Sequence, residues 1–372
     1  MVHLLKMVRQ LPGLDGGMAG TRRQEMLGKT GQITISLCMI VKNEEKVLAR
    51  CLDSVADLMD EIIIVDTGST DRTKEIASRY TDQIFDFTWI DDFSAARNFA
   101  FSKAHMDYIY SADADEVLNE ENRERYRLLK ENLMSEIEIV QMKYGNQLQF
   151  GTVYNFDEEY RPKLFKRLRE FVWQEPIHEN VRLDPVVYDS DIVITHMPEN
   201  SHAGRDLANF RRQTDRGVRL SRHLHEMYAR ELFVAGSDED FLKAEDFFVN
   251  SAKDTERGGD ELTEACCVAA RAARLRGDTV SFFKHAMKLV AGEGCSEICC
   301  ELGNFYADAS DYEEAAVWYY NAAYETQPQI VLAAGEAWAF KGLIRCYESL
   351  GLPEQAAFYE KQLLMKQQSL DE

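Results

Sequence analysis

A chain of 372 residues is too long for one small domain and long enough for two, each burying its own core. Apolar residues make up 45% and charged residues 29%, a globular balance that excludes a disordered or fibrous chain. The formal charge of −21 excludes broad non-specific binding to nucleic acid or anionic lipid, because long-range repulsion opposes approach, although a local basic patch can still hold phosphate.

Residues 1–32 carry Gly13, Gly16, Gly17, Gly20, Gly28 and Gly31 and show neither helical nor strand periodicity, so a flexible N-terminal tail is expected. No run reaches the roughly eighteen apolar residues of a membrane span, and the start lacks the apolar core of a secretory signal. The expected location is cytoplasmic, at most peripheral at the inner face of a membrane.

The run Ile33–Val41 is short, apolar and β-branched, which predicts a strand covered on both faces. Val47, Leu48, Cys51, Leu52 and Val55 then form the stripe of an amphipathic helix. Ile62–Val65 reads as a second buried strand, followed by a helix after Thr70, a strand near Ile84–Phe87, a helix opening at Ser94 and a strand at Tyr108–Ala112. That alternation predicts an α/β domain over 33–204 with a mostly parallel sheet and right-handed crossovers. Less regular strand-like runs at Ile137–Met142, Leu148–Tyr154, Lys163–Leu168 and Asp191–Thr195 would complete a mixed sheet.

After about Arg205 the pattern is helical almost to the end, read as a linker helix over 205–230 and an all-α repeat domain over 231–372. Leu302, Gly303, Tyr306, Ala315, Tyr319 and Ala322 have the spacing of a tetratricopeptide repeat. Tyr347 and Ala356 repeat part of it, and Ala244, Phe248 and Ser251 copy the offsets of Ala315, Tyr319 and Ala322 from 71 residues earlier. An ordinary helical bundle is the plainer alternative. The pairs Cys266-Cys267 and Cys299-Cys300 lack C-x-x-C spacing and read as small buried helix residues rather than metal or redox sites.

The informative acids follow strands. Asn43 and Glu44 come after the first, Asp66 after the second, and Asp113 and Asp115 after Tyr108–Ala112. In an open α/β sheet the carboxyl ends of the strands are where ligands bind, since loops leave there and helix N-termini point inward. Ser69, Thr70 and Asp71 are better read as turn and cap. Two carboxylates in Asp113-Ala114-Asp115 repel one another unless a hard divalent cation, magnesium or manganese, offsets the charge; a solvated acidic loop is the alternative.

Together the segments ISLCMIVKNEE, IIIVDTGSTDRT, DDFSAARNFAF and YIYSADADE resemble family 2 glycosyltransferases of the GT-A fold, especially the bacterial branch with C-terminal tetratricopeptide repeats. Relatives of that branch include lipopolysaccharide-core glucosyltransferases and S-glycosyltransferases of glycopeptide bacteriocins. The resemblance implies that Lys42, Asn43 and Glu44 border the nucleobase of a nucleotide-sugar donor, with Asp66 on its edge, Asp113 facing the ribose and Arg97 a basic contact. It implies that Asp115 holds a divalent metal, Mn2+ or Mg2+, with His196 completing metal or diphosphate binding. Arg161 and His178 are implied on the acceptor side, and Glu179 as the catalytic base. Arg97 pairing structurally with Asp92 is the alternative for that residue.

The implied activity is inverting transfer of a hexose from a nucleoside diphosphate sugar, UDP-linked by default, to a glycan, lipid-linked or peptide acceptor, with a protein or peptide held by the repeats. The competing reading is a peptide-binding repeat scaffold carrying a vestigial transferase domain. Arg212, Arg216, Arg219 and His223 form a basic stripe on the expected linker helix, read either as a solvated face or as a contact for an anionic acceptor.

Overall fold

The computed structural model describes residues 32–145, 159–181, 185–197 and 203–368. The expected tail lies outside these residues except for Gln32, as does the expected strand at Leu148–Tyr154.

The first part alternates as the sequence predicts: β1 (Ile35–Val41), α1 (Leu48–Val55), β2 (Glu61–Asp66), α2 (Thr73–Ala77), β3 (Ile84–Asp86), α3 (Phe93–Phe101) and β4 (Tyr108–Ser111). Then come β5 (Glu116–Val117), α4 (Glu120–Asn132), β6 (Ile139–Gly145), β7 (Glu159–Lys166), β8 (Trp173–Gln174), β9 (Asn180–Val181) and β10 (Val187–His196). The described strands of the main sheet run in the order β3-β2-β1-β4-β7-β6-β10-β5, and β8 and β9 form a separate ribbon. The pairs β1·β2, β1·β4, β2·β3 and β6·β10 are parallel; β4·β7, β6·β7 and β5·β10 are antiparallel.

The sheet is covered on both faces, which is why its central strands are continuous apolar runs. Ile35, Leu37 and Met39 of β1 pack in one cluster with Leu48 and Leu52 of α1 and Tyr126 of α4. Cys38 joins Ile63, Val65, Ala100 and Ile109 in another, beside α3.

Where one linker helix is expected, the chain forms two, α5 (Ala203–Asp215) and α6 (Arg222–Ala235). Between them Gly217 takes φ 73°, a left-handed conformation that ends α5. The rest is α7 (Asp238–Ser251), α8 (Gly259–Leu275), α9 (Thr279–Val290), α10 (Ser296–Asp308), α11 (Tyr312–Tyr320), α12 (Ala337–Ser349) and α13 (Pro353–Gln368). Sequential helices pack in pairs, α7 on α8, α10 on α11 and α12 on α13, with α8 also against α10 and α10 against α12.

The repeat positions are the packing positions: Ala244, Phe248, Ser251, Ala315, Tyr319 and Ala322 are all buried. Tyr319 of α11 lies against both Gly303 of α10 and Gly342 of α12, where an added Cβ would overlap its ring. Its hydroxyl donates to Asn304 Oδ1 at 2.7 Å and accepts from Arg345 at 2.9 Å, so the ring cannot swing away. His225 of α6 bridges Ser251 of α7 (2.6 Å) and Glu264 of α8 (2.5 Å) in the interior. All eight cysteines are buried free thiols, as the helical reading expects.

Candidate functional site

The register of the parallel strands brings the informative acids to one edge. Val41 lies opposite Asp66, and Cys38 of β1 lies opposite Ser111 of β4, so the loops after β1, β2 and β4 leave the sheet side by side. Asn43 sits at φ 57°, a left-handed conformation that asparagine tolerates. It is held there by the β2 loop: its N–H donates to Ser69 Oγ (2.9 Å), and its Oδ1 accepts from the Thr70 N–H (2.8 Å). Glu44 N–H donates to Thr73 Oγ1 at 2.7 Å, and Lys42 is exposed. Ser69, Thr70 and Asp71 are therefore turn-forming groups, Asp71 accepting from the Thr73 N–H at 3.0 Å.

Asp66 is 2% exposed. Its Oδ1 accepts from the N–H groups of Gly68 (3.0 Å) and Ser69 (2.9 Å), while its buried Oδ2 has no hydrogen-bond partner among the described residues. A buried carboxylate oxygen left unpaired costs free energy, so its position invites a donor from a ligand.

Arg97, one turn into α3, is the hub. Its Nη2 donates to Asp113 Oδ1 at 2.9 Å, its Nη1 to Ser111 Oγ at 3.1 Å and its Nε to Glu179 Oε1 at 2.5 Å. The guanidinium also lies 5.2 Å from the centre of the Trp173 ring. Asp92, the alternative partner, instead caps α3 by accepting from the Ala95 N–H at 3.0 Å. Burial works against the charge on Arg97, but Asp113 and Glu179 outweigh it and hold the guanidinium above its ordinary value. Burial likewise opposes ionisation of Asp113, and Arg97 and then Lys163 outweigh it, holding that carboxyl below the usual range.

Asp115 meets His196 through a pairing that spans most of the domain. β10 runs antiparallel to β5 with His196 opposite Glu116, which puts His196 Nε2 3.2 Å from Asp115 Oδ2. The Met197 N–H donates to the Asp115 carbonyl at 2.9 Å and fixes the same junction. Among the described residues no group of three or more His, Cys, Asp and Glu side chains is arranged to hold a metal. One carboxylate and one imidazole still suit magnesium or manganese, which keep several waters and take oxygens from a diphosphate.

Further along, Arg161 Cζ stands 4.2 Å over the Tyr144 ring, whose centroid is 5.1 Å from that of His196. His178, next to Glu179, is stacked on Phe210 at 5.7 Å, and burial holds its imidazole below the usual range. The structure thus brings Arg97, Asp113 and Glu179 together, and Asp115 with His196, and Arg161 stands close enough to His178 for its charge to oppose that of the imidazole.

The basic stripe is not one face of one helix. Arg212 of α5 and Arg216, just past its end, both pair with Asp91, at 2.9 and 2.7 Å, and Arg219, beyond the break at Gly217, pairs with Asp254 and Glu256. These three arginines pair with acids from other parts of the chain while staying 42–53% exposed.

Lys163, Glu116 and Trp173 belong to the site and escape sequence reasoning. Lys163 Nζ is bonded to Glu116 Oε1 in the interior, and burial pushes the Glu116 carboxyl up against the pull of Lys163. Alternation was the available signal: Arg161 and Lys163, two apart on β7, share a face, and both lie over Tyr144.

Residues 36–182 match the family model described as glycosyl transferase family 2. The chain is 27% identical over 241 residues to the prophage-derived glycosyltransferase SunS of Bacillus subtilis, covering 58% of this chain and 54% of that protein. Over 84 residues it is 52% identical to a TPR repeat-containing protein of Synechococcus elongatus, covering 23% of this chain and 21% of that one. An uncharacterized glycosyltransferase of Rickettsia prowazekii is 28% identical over 175 residues, 43% of this chain and 55% of that one. The chain thus spans about half or less of the length of these curated relatives.

Among solved structures, glucosyl-3-phosphoglycerate synthase of Mycobacterium tuberculosis, in complex with Mn2+, UDP and phosphoglyceric acid, aligns with a TM-score of 0.39 and 15% identity, covering 59% of this chain and 84% of that one. Residues 1–349 of TarS from S. aureus align with a TM-score of 0.33 and 15% identity, covering 77% and 90%.

Proposed function

This chain carries a glycosyl transferase family 2 domain over residues 36–182, and we propose that it is an inverting hexosyltransferase acting on a nucleoside diphosphate sugar. The observation that carries this reading is the bridge that the largely buried Arg97 makes between half-exposed Asp113 and buried Glu179 at the edge where Asp66 and Asp115 also emerge.

In this reading Asn43, Glu44 and Lys42 border the nucleobase, and the unpaired Oδ2 of Asp66 accepts its N–H, which favours uracil. Asp113 faces the ribose. Asp115 and His196 would hold Mn2+ or Mg2+, whose charge would offset that of the donor diphosphate. Glu179 takes the proton from the acceptor as the acceptor heteroatom bonds to the anomeric carbon and the carbon–oxygen bond to the diphosphate breaks on the opposite face. Arg97 occupies Glu179 Oε1, which leaves Oε2 to receive that proton. The same guanidinium supplies preorganised positive charge near the departing diphosphate.

Arg161 and His178 flank the acceptor, a glycan, a lipid-linked glycan or a peptide, and the helical repeats offer a surface for a protein or peptide partner. Among the described residues no helix is long and apolar enough to cross a membrane.

The test is a thermal shift across a panel of nucleoside diphosphates, with and without manganese, on this protein and on Asp115→Ala. A manganese-dependent rise with UDP that is lost in the variant is the expected result. A folded protein that responds to no member of the panel would overturn the proposal.

A further inference from the structure

The geometry points to α5 and α6 as part of the transfer machinery: they hold the two loops that deliver Arg97 and Glu179, making Phe210, Arg212, Arg216, Ser221 and Glu231 positioning residues for that pair. This inference rests on the transferase reading above and adds a role for the helical region within it.

The first observation is strain in the right places. Asp91, Glu175 and His178 have φ of 61°, 73° and 48° although none is glycine. Non-glycine residues are uncommon in this left-handed region and persist there where their surroundings hold them. Asp91 lies just before α3, which carries Arg97, and Glu175 and His178 bracket the approach to Glu179.

The second observation is what enforces them. Asp91 is gripped by Arg212 (2.9 Å) and Arg216 (2.7 Å), and its carbonyl accepts from Gln213 Nε2 at 2.9 Å. Ser221, the N-cap of α6, donates to Glu175 Oε1. His178 stacks on Phe210 of α5, and its Nε2 lies 3.9 Å from Glu231 Oε1 of α6. Between the two strained positions, Ile177 is 2% exposed and is buried in the same cluster as Leu207, Phe210 and Leu224 of the helical region. The two loops are also tied to each other by the Phe93 N–H donating to the Pro176 carbonyl at 2.9 Å.

Each left-handed residue flanking the Arg97–Glu179 pair thus has a partner in α5, α6 or their flanking caps, beside the local contacts from Trp89 to Asp91 and from Asn180 to Glu175, whereas left-handed Asn43, on the donor side, is held from within its own domain. The helical region contributes to base placement, and donor binding is built without it.

The experiment compares the full chain with Phe210→Ala, Phe210→Tyr and the exposed double substitution Arg212→Gln/Arg216→Gln. Three readouts are taken: UDP release from UDP-glucose with water as acceptor, UDP binding with manganese by calorimetry, and amide hydrogen exchange across 173–181. The expected result is kcat at least tenfold lower in Phe210→Ala and in the double variant, with UDP Kd within twofold of the parent, recovery in Phe210→Tyr, and at least tenfold faster exchange at 175–180. Unchanged kcat, or kcat and UDP affinity falling in parallel, would overturn the inference. If the parent releases no UDP, the transferase reading fails by itself; unchanged exchange at 175–180 in Phe210→Ala would then overturn the positioning role independently, and faster exchange would uphold the docking of this loop.

Discussion

Arg97 Nε donates to Glu179 Oε1 at 2.5 Å across 82 residues of chain, and both side chains are about nine-tenths buried, at 13% and 12% exposure. A buried ion pair of this kind is costly to break from one side only, because the surviving charge is left without compensation. Arg97→Ala should lower stability to urea by about 3 kcal/mol. Glu179→Gln keeps a polar neighbour for the guanidinium but cannot take a proton, so turnover should fall by about a hundredfold or more while UDP affinity is retained. Steady-state kinetics beside calorimetry separates the two effects, and Glu179→Gln at parental turnover would remove this residue from the chemistry.

Asp66 offers a cleaner probe of donor recognition. Asparagine can still accept from the Gly68 and Ser69 N–H groups through Oδ1, which keeps the turn. The unpaired Oδ2 becomes an NH2 group and would face the nucleobase N–H donor to donor. Asp66→Asn should weaken UDP binding about tenfold or more, the loss of roughly 1.5–3 kcal/mol for a hydrogen bond to a charged group. Little change in melting temperature should accompany it.

A carboxyl group buried against His178 makes stability fall as pH rises. Burial first, and Asp206 second, push Glu231 from 4.5 up to about 8. Between those values the folded state holds a proton that the unfolded state has lost, so this contribution is fully present below about 4.5 and lost as pH rises through 8. Glu231→Gln removes that dependence. Its stability should match the parent near pH 4.5 and exceed it near pH 8 by on the order of 1–3 kcal/mol, measured by urea denaturation at a series of pH values. A parental slope in the variant would show that another group is responsible.

Gly342 tests the repeat packing. A methyl group there would overlap the Tyr319 ring, which is anchored through its hydroxyl to Asn304 and Arg345. Gly342→Ala should therefore destabilise the helical region by about 2–3 kcal/mol, despite alanine's better helix propensity. Chemical denaturation followed by far-ultraviolet circular dichroism would detect it. Tyr319→Leu in the same background should recover part of the loss by making room.

The α/β class and the helical region were legible because both write regular patterns into the chain. Buried parallel strands are apolar runs, and the acids at their carboxyl ends follow by position. Tetratricopeptide spacing likewise marked the residues that interlock around Tyr319. Less visible was anything that depends on distant pairing. His196 reaches Asp115 only because β10 pairs with β5, a strand of two residues that no periodicity announces. Arg97 was read as a donor-site contact or as a structural partner of Asp92, and neither reading reached Asp113 and Glu179, while Asp92 is used up as a helix cap. The basic stripe is largely exposed, and its sequence shows its own charges and not the carboxylates of Asp91, Asp254 and Glu256 that meet them.

Ile177 belongs to the family-matched segment by position and to the helical region by burial. A recombination joint placed after residue 182, where the family match ends, would deliver this loop without the socket that receives it. The unit that can be inherited or exchanged intact therefore extends past the family match into the helical region, whose buried residues as far as Tyr359 share one cluster with Ile177. Substitutions at Ile177 and at Leu207 or Phe210 should be tolerated together more readily than singly, as expected of residues sharing one packed interior.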